Sequence, residues 1–190
     1  INSTTDVDLI DVQNSKVKLL LKGDTKLQRY IQSSYSKECA NAIHVSSTSA
    51  LTIEDYDGDQ VVGSLDTGTP NRYGTGIGGR YISSSSSREA TGDITINSGS
   101  ITATGNSSAA IGNSYFYSAT DNGTVTINGG TVNASITGQA PAIGGKRKSC
   151  NIVINSGTVT ATGGSFYPAI GGGDTSCGSV TINGGTVTAT

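Results

Sequence analysis

One phrase recurs four times in the second half of the chain. Gly92–Gly105 reads GDITINSGSITATG, Gly123–Ile136 reads GTVTINGGTVNASI, Cys150–Gly163 reads CNIVINSGTVTATG and Gly178–Thr190 reads GSVTINGGTVTAT. A shorter phrase, AAIGN, PAIGG or PAIGGG, stands between successive copies. The turn asparagines Asn97, Asn128, Asn155 and Asn183 are 31 (128 − 97), 27 (155 − 128) and 28 (183 − 155) residues apart. Self-similarity at such a period marks a solenoid, in which each repeat is one coil that buries its apolar side only against its neighbours.

Within each copy Val or Ile alternates with Thr, and side chains along a strand point to opposite faces. In Gly123–Ser135, Val125 and Ile127 point one way and Thr124 and Thr126 the other. Asn128-Gly129-Gly130 turns the chain, because Asn and Gly tolerate positive φ. Val132 and Ala134 then resume the inward column, and Ile143 of Ala142-Ile143-Gly144-Gly145 supplies a third inward anchor. Each coil therefore carries three short strands around a thin core. Alternation puts Ile127, Ile154 and Ile182 in one ladder and Val132, Val159 and Val187 in another.

The pattern continues backward in weaker form. Leu51-Thr52-Ile53-Glu54 occupies the ITIN slot, Gly63–Thr67 the GSITAT slot and Gly76-Ile77-Gly78-Gly79 the AIGG slot. Lys16–Asp24 reads as a still earlier strand and turn, Ala42-Ile43-His44 stands where AIG stands later, and Val7–Val12 is the first strand-like run. Gln28 to Lys37 is a short helix or an excursion. The expected fold is all-β, a right-handed parallel β-helix (β-solenoid) of about five to six coils of roughly 27–34 residues each. Residues 1–41 read as irregular N-terminal coils or a cap, and 42–190 as regular β-helix repeats within one continuous domain. A more charged first coil is what a solvent-facing end requires.

A formal net charge of −2 gives no reason to expect nucleic acid or an anionic membrane surface as partner. No apolar run reaches 18 residues, so no segment reads as inserting into a membrane. The chain begins at Ile1, which reads as a processed protein or a cut fragment. Cys150 and Cys177 each sit just before or at the start of equivalent strands, 27 residues apart (177 − 150). Stacked strands lie about 4.7–4.9 Å apart, inside the roughly 4.4–6.8 Å Cα separation of disulfides. The pair is read as a disulfide between neighbouring coils, which implies an oxidising compartment; two thiols in similar slots is the alternative. Cys39 has no evident mate. Sequons at Asn2, Asn106, Asn122 and Asn133 are near what chance gives in so Asn-, Ser- and Thr-rich a chain.

The phrases Ala142–Gly145, Ala169–Gly173 and Val180–Thr190 carry a resemblance. Residues 42–190 resemble the glycine-rich parallel β-helix repeats of large bacterial cell-surface proteins, some of them adhesin-like or carbohydrate-binding. The resemblance implies an extracellular or cell-surface location and a scaffold role. It implies no activity, since a fold does not fix a function.

The residues themselves offer little for catalysis. His44 is the only histidine, with no nucleophile pattern around it, and after Asp93 only Asp121 and Asp174 remain acidic. The regular coils thus lack the groups that acid–base chemistry needs, and no enzyme is expected. Asp55, Asp57, Asp59 and Asp66 form either a polar turn or a weak calcium candidate; an EF-hand loop has Gly at position 6 and Glu at position 12, and here Gly58 is at position 4 and Asp66 at position 12. No other cofactor is expected. Gly76-Ile77-Gly78-Gly79 lacks the Lys-Ser/Thr of a phosphate loop. Aromatic residues cluster near the IGG corners: Tyr73 and Tyr81, then Tyr115, Phe116 and Tyr117, then Phe166 and Tyr167. On loops carried by a rigid scaffold they are either a glycan-binding edge or a packed cap on the core ends. Outward threonines, Thr102/Thr104, Thr160/Thr162 and Thr188/Thr190, resemble an ice-binding face but equally suit any outward strand position.

The resulting expectation is an extracellular β-solenoid surface protein with a structural or adhesive role as stalk or matrix. The alternatives are a carbohydrate-binding module using the loop aromatics, a head-to-tail filament subunit stacking on its open C-terminal strand, and more distantly an ice-binding or polysaccharide-degrading protein.

Overall fold

The computed structural model describes residues 2–3, 7–29, 38–39, 41–58, 61–68, 73–82, 89–115, 123–147, 150–173 and 178–190. The chain winds six times around one axis and contributes a strand to each of three parallel sheets per turn.

The first sheet, called here the glycine sheet, stacks Ile10–Val12, Ile43–Val45, Ile77–Gly78, Ile111–Asn113, Ile143–Gly145 and Ile170–Gly172. The asparagine sheet stacks Lys16–Leu21, Ala50–Asp55, Asp93–Ile96, Thr124–Ile127, Asn151–Ile154 and Val180–Ile182. The threonine sheet stacks Asp24–Arg29, Ser64–Gly68, Ser100–Gly105, Thr131–Ile136, Thr158–Thr162 and Thr186–Ala189, with Asn2–Ser3 pairing beyond its first strand. This is a parallel β-helix of six coils. Residues 10–29 form the first coil, in register with the second. Outside the helix, Glu38–Cys39 pairs antiparallel with Tyr81–Ile82. Gln28 and Arg29 lie on a strand, and residues 30–37 lie outside the described residues. No helix among the described residues is long and apolar enough to cross a membrane.

Register follows from the period-2 alternation, because a slip of one residue would turn every apolar side chain outward. Ile10, Ile43, Ile77, Ile111, Ile143 and Ile170 make one column. Leu19, Ile53, Ile96, Ile127, Ile154 and Ile182 make another. Thr25, Leu65, Ile101, Val132, Val159 and Val187 make the third. Ile127, Ile154, Val132 and Val159 are fully buried, as the alternation requires. In the last coil Ile182 is 53% and Val180 44% exposed, because nothing in the structure stacks beyond it.

Two glycine columns make the corners. The turn glycines Gly99, Gly130, Gly157 and Gly185 all have φ between 79° and 93°. In the glycine sheet, Gly78, Gly112, Gly144 and Gly171 have φ between 125° and 143°. A Cβ on Gly112 would collide with the carbonyl oxygen of Gly144 and meet Cys150 Sγ at 3.1 Å. Glycine is therefore required twice over there, by backbone conformation and by space. The same column holds Asp11 and His44 in the first two coils, paired with each other and with Gly78.

Beside the core runs a side-chain ladder. Asn183 Nδ2 donates to Asn155 Oδ1 at 2.7 Å, Asn155 to Asn128 at 2.7 Å and Asn128 to Asn97 at 2.8 Å. Asn97 Nδ2 donates to Glu54 Oε1 at 2.7 Å, and Glu54 pairs with Lys18 Nζ at 2.9 Å. The same turn asparagine thus caps the strand and ties each coil to the one below.

Candidate functional site

The structure brings the loop tyrosines together. The Tyr73 and Tyr81 ring centroids are 4.8 Å apart, Tyr73 and Tyr115 are stacked at 5.3 Å, and Tyr81 lies 6.1 Å from Tyr115. Arg147 lies over the Tyr115 ring at 4.7 Å and donates to its hydroxyl at 2.6 Å. Lys146 Nζ is 4.9 Å from both the Tyr115 and Tyr167 centroids, and only 8% of Lys146 is exposed. Aromatic pairs contribute about 0.5–1.5 kcal/mol beyond their burial, and a desolvated cation over a ring about 2 kcal/mol. These rings form a spine that spans coils, with faces turned largely to one another and to cations. Phe166 differs: it is 95% exposed and held at φ 71°, on a turn fixed by Tyr167 N–H to Gly164 O (3.1 Å) and Gly164 N–H to Ala140 O (2.9 Å). Phe116 and Tyr117 lie outside the described residues.

Two of the four weak calcium candidates have protein partners. Asp55 Oδ1 accepts the Gly63 N–H at 2.6 Å, and Asp66 accepts from Gln28 at 3.2 Å and pairs with Lys26 at 3.5 Å. Asp57 joins neither in a ligand group among the described residues, and Asp59 lies outside them. Cys150 is fully buried, its Sγ 3.6 Å from Gly144 O, and burial pushes the thiol up to about 12. Cys177, its expected disulfide mate, lies outside the described residues.

The densest chemistry surrounds His44. Its imidazole, 1% exposed, points off the outer side of the glycine sheet toward Arg80 and Glu89. Nδ1 is 2.7 Å from Asp11 Oδ1 and 3.9 Å from Asp8 Oδ2. Nε2 is 3.2 Å from Glu89 Oε2, near enough for charge attraction though angled too poorly for a full hydrogen bond. Arg80 Nη2 sits among them, 2.6 Å from Asp8 Oδ2, 3.3 Å from Asp11 Oδ2 and 3.0 Å from His44 Nδ1. Asp8 is further held by the Asn41 N–H at 2.5 Å, and Asn41 itself clamps Gly78 O, Gly79 O and Thr75 N–H.

Electrostatics in this cluster pull both ways. Burial lowers the His44 pKa, but the Glu89 and Asp11 carboxylates and the Asp8 charge outweigh it and hold it above the usual 6.5. Burial pushes Asp8 above 3.8, against the Asn41 amide and Arg80. His44 holds Glu89 below 4.5. Asp8, Asp11 and His44 offer atoms within 4.8 Å of one another, but the Arg80 guanidinium already supplies the cation there. As placed, the cluster is an ion-pair network.

Sequence reasoning reached the tyrosines and passed over His44 as isolated. The slot alignment holds the missed signal: it places Asp11, His44 and a glycine in one column, where side chains on successive coils face each other.

Residues 94–115, 125–145, 152–174 and 180–190 match the family model of the β-helix repeat, in four successive pieces. No curated protein and no solved structure matches the chain.

Proposed function

We propose that this chain is a rigid, non-enzymatic segment of an extracellular cell-surface protein, with a structural or adhesive role as stalk or matrix element. The observation behind this reading is the unbroken register of three sheets through six coils. With strands about 4.8 Å apart, six coils make a stiff prism roughly 25–30 Å tall. Its core columns contain side chains that interlock from coil to coil, so the object holds position and carries load along its axis. The match of the later coils to β-helix repeats supports the same reading. Display of the chain on a non-adherent cell should raise attachment to glycan- or cell-coated surfaces. Release of new chain ends from any member of a polysaccharide panel would overturn the non-enzymatic reading, and unchanged attachment would overturn the adhesive one.

A second reading, glycan recognition, is favoured by Phe166. A phenyl ring 95% exposed on a turn with positive φ is held out at a cost of order 1–3 kcal/mol in backbone strain. Sugar rings stack on such a face. Phe166→Ala should weaken binding to any glycan the protein captures from a panel at least tenfold and leave thermal stability unchanged. Undiminished affinity would sink this site.

A further inference from the structure

We propose that His44 is a proton-operated clasp that fastens the first coil to the segment carrying Arg80 and Glu89, by exchanging the partner of its Nδ1 between Asp11 and Arg80. The geometry carries the argument. Carboxylate oxygens face both ring nitrogens, Asp11 at 2.7 Å and Glu89 at 3.2 Å. Protons on both ring nitrogens are matched by these two oxygens, while the Arg80 Nη2 donor, 3.0 Å from Nδ1, matches a bare Nδ1. Among the described residues the charged groups facing His44 are Asp8 and Asp11 from the first coil, and Arg80 and Glu89. With His44 protonated, two positive charges meet three negative ones. Loss of its proton leaves one positive against three, around an imidazole 1% and an Asp8 carboxylate 4% exposed. A buried site tolerates that surplus poorly.

The second arrangement is already in place. Arg80 Nη2, 3.0 Å from Nδ1, cannot donate to a protonated Nδ1 but can donate to a bare one. Asp11, 40% exposed, is then repelled and free to turn into water, while Nε2–H stays toward Glu89. Proton loss thus moves Nδ1 from Asp11 to Arg80 and removes one of the side-chain ties between coils one and two, leaving the backbone ladder in place. Asp8 keeps its link to Arg80 and Asn41 in both states.

The sign follows from linkage. The folded-state pKa of His44 lies above the ordinary value, so the clasp's contribution is complete below about pH 6.5 and is lost as pH rises through the raised value. Glu89 sets the acid limit: held below 4.5, its contribution is present above that value and is lost as pH falls through the lowered one. Asp8, raised by burial, adds stability as it takes up a proton.

Nitrogen-15 NMR of the His44 ring in the full chain, with amide hydrogen exchange read at the same pH values, tests this. One titration should occur with a midpoint above 6.5, leaving the neutral ring protonated on Nε2. Exchange at Ile10 and Val12, whose amides face the second coil, should quicken about tenfold through that midpoint, while Ile152 and Ile154 stay unchanged. Glu89→Gln should lower the midpoint, and His44→Gln, if it folds, should abolish the pH dependence of first-coil exchange. A neutral ring protonated on Nδ1, a midpoint at or below 6.5, or first-coil exchange indifferent to the titration would each overturn the clasp.

Discussion

Coils one and two and coils three to six share a register and differ in what joins them. In the first pair, the side chains that bridge coils outside the core are mostly charged: Lys18 to Glu54, Lys26 to Asp66, Asp24 to Ser64, and the network around His44. In the later four, the bridges along the strands are mostly neutral, the asparagine ladder, Thr104 with Ser135, and Thr162 with Thr190, and the cations Lys146 and Arg147 bridge coils through the Tyr115 ring. Both kinds occur on the asparagine and threonine sheets, so the β-helix geometry accepts either kind of glue. What changes is the sensitivity to conditions. Amides and hydroxyls do not titrate, while ion pairs answer to pH and salt. The repeat match begins at residue 94, where the neutral bridges begin.

Core truncation should not respect this division. Leu51→Ala in the second coil and Ile154→Ala in the fifth each remove a fully buried side chain and should each cost about 2–5 kcal/mol in denaturant melts. A loss under about 1 kcal/mol in only one region would mean that the two regions do not share one continuous core. Asn155→Ala takes two amide hydrogen bonds from the ladder and should cost about 1–2 kcal/mol. That cost should be the same at about pH 5 and pH 9, since no amide titrates between them. A marked pH dependence would tie the neutral region to the charged one.

Thr67 sharpens the comparison from inside. It stands on the column of Ala103, Ala134 and Ala161, fully buried, with a hydroxyl that has no hydrogen-bond partner. Thr67→Val keeps the shape and removes the orphan hydroxyl, and should stabilise the protein by about 1 kcal/mol. A loss of stability would reveal a partner for that oxygen. The smallest effect is expected from Lys18→Ala, whose side chain is 58% exposed. Its slight destabilisation at low salt should vanish at about 1 M, where charges are screened within about 3 Å; an effect that survives would show that Lys18 acts through packing.

The fold was legible because its two determinants are local and repeated. Alternation assigns a face to each residue, and a near-constant period assigns a level, so Leu51 falls on Ile94 and Leu65 on Ile101 even where the phrase has decayed. The tyrosine spine was half legible. Tyr73, Tyr81 and Tyr115 occupy related loop positions, but nothing in the sequence says that Lys146 and Arg147 fill the gaps between rings. The His44 network was not read from the sequence because three of its members, Asp8, Arg80 and Glu89, lie off the repeated strands. Only Asp11 and His44 share a column. The other three stand outside the repeated positions, where no period assigns them a place.

The asparagine ladder has a direction. Every side-chain N–H points toward the preceding coil and every accepting oxygen toward the following one. Four amide dipoles are therefore aligned head to tail, and each polarises the next. The positive end of this row meets the Glu54 carboxylate, whose pKa Lys18 and then Asn97 hold below 4.5. The row thus behaves as a small electret laid along the outer wall, grounded on an anion at one end. Its two ends are chemically unlike: the Glu54 end is closed by a charge, and Asn183 at the other end carries the last carbonyl oxygen, which can be joined by a donor and not by another acceptor. A coil added there would be selected for the polarity of its side chain before any apolar contact formed.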